Sequence, residues 1–235
     1  MEKRIQRVRH EIRMREVEVA SVRQLAPNYL SVTFKGETLH DFISASYDDH
    51  VKFMPDEQTR RDFTPRSYDN AARELTVEFA LHSVGEVSDW ARQAAVGQRV
   101  VIAGPRGSMI IPSDYAWQVL AGDATAFPAI RRRLEELPAG VKVQVLVTGD
   151  DAGTIEFKGE AQVDVSVLAG PEQLVDAVRA MQLPEGDGFF WCAGEAAMAS
   201  QVRDILFNEK GHPREAARIS AYWKKGASAH HENLE

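Results

Sequence analysis

The sequence of 235 residues contains a single cysteine, Cys192. One cysteine excludes a disulfide within the chain and any iron–sulfur or zinc site made only of cysteine thiolates. No run reaches the roughly 18 uninterrupted apolar residues that a membrane-spanning helix needs. The sequence begins with basic residues but has no apolar stretch behind them, so no secretory signal is predicted. These absences predict a protein without a membrane span, located in the reducing cytoplasm.

The sequence also lacks an excess of positive charge. It carries 28 lysine and arginine residues against 35 aspartate and glutamate residues, a formal net charge of −7 at pH 7. Neutralising the phosphates of a nucleic acid requires clustered lysine and arginine, so this balance argues against nucleic acid as the main partner. Basic residues still cluster at positions 60–61, 131–133 and 224–225. The run at 131–133 is interpreted as the solvated face of a helix.

The first half of the sequence has the pattern of short antiparallel strands. Apolar and polar residues alternate with a period of two at residues 16–22, 30–34, 75–81 and 99–103. Proline, asparagine and glycine residues between these runs supply the turns. Strands at such spacings predict a small closed β-barrel or a sandwich.

The second half alternates between strands and helices. These elements are predicted in turn at residues 117–122, 126–137, 141–147, 172–181, 188–193 and 195–209. Such alternation predicts a parallel sheet with helices on both faces. A break at 112–114 separates the two patterns, so we expect two domains, 1–112 and 113–235, each of about 100–120 residues. The second domain is expected to end in a C-terminal extension.

A first candidate site lies in the segment 61–68, which reads Arg-Asp-Phe-Thr-Pro-Arg-Ser-Tyr. The guanidinium of Arg61 can hold pyrophosphate oxygens in a bidentate contact. The ring of Phe63 can cover a flat heterocycle, and the hydroxyl of Thr64 can donate a hydrogen bond. The segment resembles the Arg-x-Tyr-Ser/Thr flavin motif of the ferredoxin–NADP reductase superfamily, with Phe63 in place of tyrosine. The alternative is a barrel strand with a core phenylalanine and solvated arginines.

Two further segments have the context of a cofactor site. Residues 79–90 contain a glycine turn followed by Ser88, which is a candidate N-cap for a helix over 89–94 and thus for a pyrophosphate site. His82 in this segment is either a flavin contact or a structural residue. Residues 121–130 follow a strand and open a helix, as a nucleotide-binding loop does. They contain one glycine, so they are not the three-glycine dinucleotide fingerprint.

Seven segments together resemble one family, the siderophore-interacting proteins, which include NAD(P)H-dependent ferric-siderophore reductases. In chain order they are 49–53, 61–69, 82–90, 104–107, 122–130, 191–195 and 221–226. The resemblance spans roughly residues 8–226. It implies an antiparallel Greek-key barrel that binds FAD, followed by a parallel-sheet α/β domain that binds NADPH or NADH. The implied reaction passes electrons through FAD to a ferric siderophore or other ferric chelate and releases Fe(II).

The resemblance also implies roles for individual residues. Catalytic roles fall on Thr64, Thr125 and Trp223, and no residue is assigned to a resident metal. Trp223 either lies against the flavin or nicotinamide, or pins the tail to the sheet. The residues implied in cofactor binding are Arg61, Asp62, Phe63, Thr64, His82, Val87, Ser88, Asp123, Thr125, Ala126, Gly194 and Glu195.

Ferric siderophores are often anionic, so an acidic protein is expected to present a local basic rim to them. The residues chosen for this rim by their proximity to the flavin motifs and the tail are Lys52, Arg66, Arg106, Lys224 and Lys225. Asp150 and Asp151, which follow a predicted strand, favour NADH over NADPH because carboxylates there accept ribose hydroxyls. A 2′-phosphate would instead need Arg218 or the two lysines of the tail.

Three other functions remain open at this point. One is a flavin reductase-like enzyme of the same superfamily that uses another electron acceptor. A second is a ferric reductase whose electron donor is ferredoxin. The third is a flavin- or siderophore-binding module without enzymatic activity.

Overall fold

The computed structural model describes residues 4–81, 85–227 and 232–234. The chain divides into two compact units, Arg4–Ile111 and Pro112–Glu235. The first unit contains antiparallel strands and the second contains a largely parallel sheet. Among the helices of the described residues, none has both the length and the apolar character needed to cross a membrane.

The first unit is a curled antiparallel sheet. Seven strands pair in the order β5-β4-β8-β2-β3-β7-β6, and β1 pairs separately with β9. β5 and β6 stand at the two ends of this order, yet only Thr64 separates them in the chain, so the sheet curls back towards itself. The elements are β1 Gln6–Arg9, β2 Met14–Ala26, β3 Tyr29–Lys35, β4 Val51–Met54, β5 Arg61–Phe63, β6 Pro65–Asp69, β7 Glu74–Ala80, helix α1 Glu86–Arg92, β8 Arg99–Ala103 and β9 Gly107–Ile110.

The core of the first unit is an aromatic cluster inside the curled sheet. Phe34, Phe53 and Phe79 are at most 1% exposed, because alternate residues of their strands face inwards. Helix α1 adds Trp90, whose ring centroid lies 4.7 Å from that of Phe53. Each such buried side chain stabilises the fold by about 1.5–3 kcal/mol relative to an exposed one. The packing holds α1 against the interior of the sheet.

The second unit is an α/β domain. Its sheet has the order β12-β11-β10-β13-β14-β15, with five parallel strands and β15 antiparallel to β14. The elements are β10 Trp117–Gly122, α2 Phe127–Glu136, β11 Lys142–Thr148, β12 Gln162–Leu168, α3 Pro171–Ala180, β13 Gly188–Glu195, α4 Ala196–Asp204, a π-helical turn Ile205–Glu209, β14 Ala217–Trp223 and β15 Glu232–Asn233. The predicted combination of an antiparallel barrel-type sheet and an α/β domain is confirmed.

The strand order fixes where this sheet can bind a ligand. From β10 the chain adds β11 and β12 on one side, and then returns to place β13 on the other side of β10. The order therefore reverses between β10 and β13. Ligands of open parallel sheets bind at such a reversal, beyond the carboxyl ends of the strands.

The basic run at 131–133 is not a solvated face, so that interpretation was wrong. Arg132 and Arg133 are 8% and 3% exposed. Arg133 donates from Nε to the side-chain oxygen of Gln118 at 3.0 Å and from Nη2 to the carbonyl of Pro112. Three consecutive helical residues span about 200° of the helix, so they cannot all share one outer face. Arg133 thus ties α2 to β10 and to the segment before it, whereas Arg132 pairs with Glu136 within α2.

Candidate functional site

Arg61, the predicted pyrophosphate anchor, lies at the start of β5. Its Nη2 is 3.4 Å from Oε2 of Glu86, the first residue of α1, and its Nη1 donates to the carbonyl of Arg60. The side chains of Arg61 and Glu86 are 31% and 67% exposed. Thr59 also donates to the same Glu86 oxygen at 3.2 Å. The guanidinium thus has an exposed carboxylate as its partner, which an anionic ligand can replace.

Other charges beside Arg61 are also paired. Lys52 and Asp62 are cross-strand neighbours in the β4–β5 register, and their side chains meet at 2.7 Å. Asp62 is therefore the counter-ion of Lys52. Backbone hydrogen bonds from Thr59 and Gln58 hold the pKa of Asp56 below its usual value, so Asp56 adds negative charge near Arg61.

Residues 63–66 lead from β5 into β6. Phe63 is half-buried, and its ring centroid lies 4.6 Å from that of Phe79. Thr64 is 4% exposed. Arg66 lies at an irregularity in the β6–β7 pairing and is buried, with Nε 3.5 Å from the buried carboxylate of Glu78. Arg66 is therefore not part of an exposed basic rim, contrary to expectation.

Helix α1 begins earlier than predicted. It starts at Glu86 after Gly85, so Ser88 lies within the helix and is not its N-cap. Glu86 and Asp89 place negative charge in the first turn, which favours a helix beginning at that point. Val87 packs in the core of this unit, and its expected role in cofactor binding stays a prediction. His82 lies outside the described residues.

In the second unit, the predicted residues after β10 and β13 meet at the sheet reversal. Oδ1 of Asp123 accepts from the backbone and hydroxyl of Thr125, at 2.9 and 2.5 Å. Oδ2 accepts from the backbone N–H of Glu195 and from Nε1 of Trp223, both at 2.8 Å. Asp123 therefore joins the ends of β10, β13 and β14. This hydrogen bond fixes the indole of Trp223, and both roles expected for its ring stay predictions.

Glu195 forms a second junction at this edge. Its Oε2 accepts from the backbone of Ala197 and Met198 at the start of α4, and it is the N-cap of that helix. Its Oε1 accepts from the backbone of Lys225 at 3.3 Å. Two carboxylates thus hold this part of the chain, since Asp123 binds Trp223 at the end of β14 and Glu195 binds Lys225 just after it.

Two glycines permit the close approach of these segments. A Cβ on Gly122 would lie 2.4 Å from both the Cβ of Ala126 and the carbonyl oxygen of Ala193. Gly194 has a φ of +151°, and a Cβ there would lie 2.6 Å from Oδ2 of Asp123. Ala126 is fully buried, precedes α2 and lies against Gly122 of β10, and its expected role in cofactor binding stays a prediction.

The acidic residues after β11 differ in exposure. Asp150 is exposed, whereas Asp151 is 6% exposed and its carbonyl accepts the turn hydrogen bonds of Thr154 and Ile155. A ribose contact at this position therefore depends on Asp150. Arg218, the alternative partner for a 2′-phosphate, is also buried. The expected rim residues Arg106, Lys224 and Lys225 are exposed.

Cys192 lies in the middle of β13 and is fully buried. Burial, and secondarily the charge of Asp123, raises the pKa of its thiol far above the usual value. Since the thiolate is the reactive form, Cys192 is expected to resist iodoacetamide in the native protein at about pH 8 and to react fully after denaturation. Mass spectrometry of the two samples measures this difference. Alkylation of the native protein at the rate of a free thiol would contradict the placement of Cys192.

Sequence reasoning did not identify Glu86 as the partner of Arg61. Its position next to the glycine turn was the available signal, but only the fold brings α1 to the start of β5. Within residues 4–81, 85–227 and 232–234, no group of three histidine, cysteine, aspartate or glutamate side chains converges to hold a metal ion.

Comparison with known families places both units in one family. The siderophore-interacting FAD-binding domain matches residues 18–60 and 55–109, and the siderophore-interacting protein model matches residues 115–226. A solved structure, a siderophore utilization protein from T. fusca, superposes with a TM-score of 0.88 at 28% identity. The alignment covers 98% of each chain.

The names of two relatives describe reductases. The NADPH-dependent ferric-chelate reductase of Escherichia coli K12 is 36% identical over 93% of this chain and 96% of its own length. The ferric vibriobactin reductase ViuB of Vibrio cholerae is 30% identical over 88% of this chain and 89% of its own length.

Proposed function

Because the chain belongs to the siderophore-interacting protein family, we propose that it is an FAD-dependent reductase that transfers electrons from NADPH or NADH to ferric siderophores or related ferric chelates. The observation that carries this proposal is the 36% identity, over 93% of the chain, with a ferric-chelate reductase. The proposed location is the cytoplasm, where both nicotinamide nucleotides are supplied. Release of iron follows from the chemistry of the chelate, since its hard oxygen donors bind Fe(II) less well than Fe(III).

The residues of the first unit fit FAD. Arg61 presents a guanidinium whose carboxylate partner is largely exposed, so a pyrophosphate can take the place of Glu86. Phe63 offers a half-buried aromatic ring, and Thr64 follows it in the chain with its hydroxyl. We assign the pyrophosphate to Arg61 and the flavin ring to Phe63 and Thr64. When bound, FAD accepts an electron pair from the nucleotide and delivers electrons singly to ferric iron.

The nicotinamide nucleotide is assigned to the carboxyl edge of the parallel sheet, beside Asp123, Thr125 and Glu195. The sheet order reverses there, and the segments after β10, β13 and β14 are already hydrogen-bonded together. The predicted preference for NADH now rests on the exposed Asp150. The Escherichia coli relative is named for NADPH, so both nucleotides are compared in the test below.

The test begins with the visible spectrum of the purified protein. Bound FAD is expected to give a flavin spectrum, and anaerobic addition of NADPH or NADH is expected to bleach it. Addition of a ferric siderophore should then restore the oxidised spectrum and produce Fe(II), trapped by a ferrous chelator. Each nucleotide is titrated at one ionic strength, and the ratio of kcat/KM values measures the donor preference.

Other outcomes of this test identify the rival functions. Bleaching without iron reduction would indicate a flavin reductase with another acceptor. Bleaching by reduced ferredoxin but by neither nucleotide would indicate the ferredoxin-fed enzyme. Binding of the ferric chelate without bleaching by any donor would indicate a binding module and overturn the proposal.

Lys224 and Lys225 are proposed to attract anionic chelates, since both are exposed directly after β14. Replacing both with glutamine is expected to raise KM for an anionic chelate several-fold. Electrostatic steering by a whole charged site increases association rates by about 10-fold or more, and two lysines supply part of such a site. The effect should shrink with salt, because the Debye length falls from about 10 Å at roughly 0.1 M to about 3 Å at roughly 1 M. Steady-state kinetics with an anionic and a neutral ferric chelate measure it.

Lys35 and Lys158 provide the control for this prediction. Both are exposed and pair with Glu18 and Glu156, so their double glutamine variant removes the same charge from other parts of the surface. It is expected to leave KM unchanged. Equal effects of the two double variants, or no effect of either across the salt range, would make Lys224 and Lys225 ordinary solvated residues. A change in KM for the nucleotide alone would assign them to the donor site.

A further inference from the structure

One carboxylate holds together the three chain segments that end at the sheet reversal. Asp123 accepts four hydrogen bonds, from the backbone and hydroxyl of Thr125, the backbone of Glu195 and the indole of Trp223. Thr125 follows β10, Glu195 ends β13 and Trp223 ends β14. Oδ1 accepts hydrogen bonds from the loop after β10, and Oδ2 accepts hydrogen bonds from the ends of β13 and β14.

This arrangement requires an acceptor at both side-chain oxygens. All four partners are donors, and a carboxylate accepts at both oxygens. Asparagine has nearly the same shape, but its amide nitrogen would face donors on one side or the other. Glycine at position 194 is needed as well, because a Cβ there would lie 2.6 Å from Oδ2 of Asp123. The absence of a side chain at Gly194 thus leaves the space that Oδ2 of Asp123 occupies.

We propose that Asp123 is a positioning residue that forms the nucleotide site before the nucleotide arrives. It acts through the hydroxyl of Thr125 and the indole of Trp223, which it fixes at the carboxyl edge of the sheet, and not by contacting the nucleotide itself. Its oxygens are already occupied by donors from the protein, so they are poor candidates for ligand contacts. This inference rests on the proposed use of NADPH or NADH.

Preorganisation of this kind has a kinetic signature. When the three segments are held in advance, a ligand does not have to order them on binding, which would reduce its affinity. Once a nucleotide has bound and ordered them, its reaction should be little altered. Loss of the Asp123 contacts should therefore raise KM for the nucleotide much more than it lowers kcat.

The experiment compares Asp123→Asn with Glu172→Gln in the FAD-loaded protein. Glu172 is exposed in the first turn of α3, so its variant removes one negative charge without these hydrogen bonds. For Asp123→Asn we expect KM for the nucleotide to rise about tenfold or more, with kcat changed less than about threefold. Asparagine keeps an acceptor at one of the two oxygen positions, so amide hydrogen exchange, measured by NMR, should become about tenfold faster at Glu195 or at Thr125, whichever faces the amide nitrogen. Glu172→Gln should change none of these values.

Trp223→Phe supplies a second test that retains the Asp123 carboxylate. It removes one donor and keeps an aromatic ring, and it should raise nucleotide KM in the same direction by a smaller factor. The two substitutions combined should then be less than additive, because both break the same contact. Should Asp123→Asn fail to fold, the KM of Trp223→Phe and Thr125→Ala decides the question.

The outcomes separate this inference from the proposed function. Unchanged nucleotide KM in Asp123→Asn, or unchanged exchange at both Glu195 and Thr125, would overturn the positioning role even if the protein reduces ferric siderophores. A fall in kcat without a rise in KM would also overturn it and make Asp123 part of the reaction. If the wild-type flavin is not bleached by either nucleotide, the proposed function fails, while exchange at Glu195 still reports whether Asp123 holds the segments.

Discussion

Arg61→Ala is expected to lower the affinity for FAD by about ten- to a hundredfold, the equivalent of the 1.5–3 kcal/mol carried by a charge-assisted contact. Arg61 is the residue of β5 whose guanidinium faces an exposed and replaceable carboxylate. The purified variant should therefore be pale. The ratio of flavin absorbance to protein, and titration of the FAD-free protein by flavin fluorescence, measure the loss.

The neighbouring residues provide controls for this prediction. Arg60 is exposed, and truncation of its side chain to alanine should leave FAD content unchanged. Glu86→Gln should act in the opposite direction, because it removes the anion that competes for Arg61. The gain is expected to be small, since exposed ion pairs contribute about 0–1 kcal/mol. Full FAD content in Arg61→Ala, or weaker binding in Glu86→Gln, would place the pyrophosphate elsewhere.

Gly122→Ala is expected to lower the free energy of unfolding by about 1–3 kcal/mol or more, the usual cost of overpacking a closed interior. The added Cβ would lie 2.4 Å from the Cβ of Ala126 and 2.4 Å from the carbonyl oxygen of Ala193. The carbonyl oxygen of Ala193 is backbone, so β10 or β13 has to move. The same movement displaces Asp123, the next residue, and should weaken nucleotide binding. Urea unfolding and nucleotide KM measure the two effects.

Gly153→Ala is the matched control in the same unit. Gly153 has an ordinary φ, and a Cβ on it would meet nothing within 4 Å. This substitution is expected to be neutral or to stabilise the protein by up to about 1 kcal/mol, because alanine restricts the unfolded chain. The explanation for Gly122 would be wrong if both variants unfolded at the same urea concentration as the wild type.

Sequence patterns located the long strands of the first unit and missed the short ones. β2, β3, β7 and β8 were predicted because alternation over five or more residues is a clear signal. β4 and β5 have four and three residues, too few to show a period, and β6 has five residues that do not alternate between buried and exposed. They are defined by pairing with distant strands, which the sequence does not reveal. The barrel class could therefore be predicted, but the sheet order could not.

In the second unit, two strands were missed for different reasons. β12 alternates clearly, with valine at 163, 165 and 167, and this available signal was overlooked. β14 was interpreted as part of an extension because Tyr222 and Trp223 were considered as site residues. The predicted helix over 195–209 is α4 followed by a π-helical turn, with Glu195 as its N-cap.

The types of the site residues could be predicted, but their partners could not. Arginine is usually exposed, so the sequence alone favoured a solvated Arg66 and Arg133. Both are buried beside polar partners, Glu78 and Gln118, and each partner comes from a different element of the fold. The contacts of Asp123 show the same limit, since Glu195 and Trp223 are distant in the chain. Contacts between residues so distant in the chain form only because the strand order brings their elements together.

The position of β5 at the end of the sheet order has a consequence for how flavin enters and leaves. β5 has three residues, and its ladder is with β4, through the pairs Phe63–Val51, Asp62–Lys52 and Arg61–Phe53. A short terminal strand opens at a lower free energy than the strands of the core. We therefore expect the segment that carries Arg61 and Phe63, to which FAD is assigned above, to fray and reclose while β2, β3 and β7 stay folded. Exchange of FAD would then not require the unit to unfold.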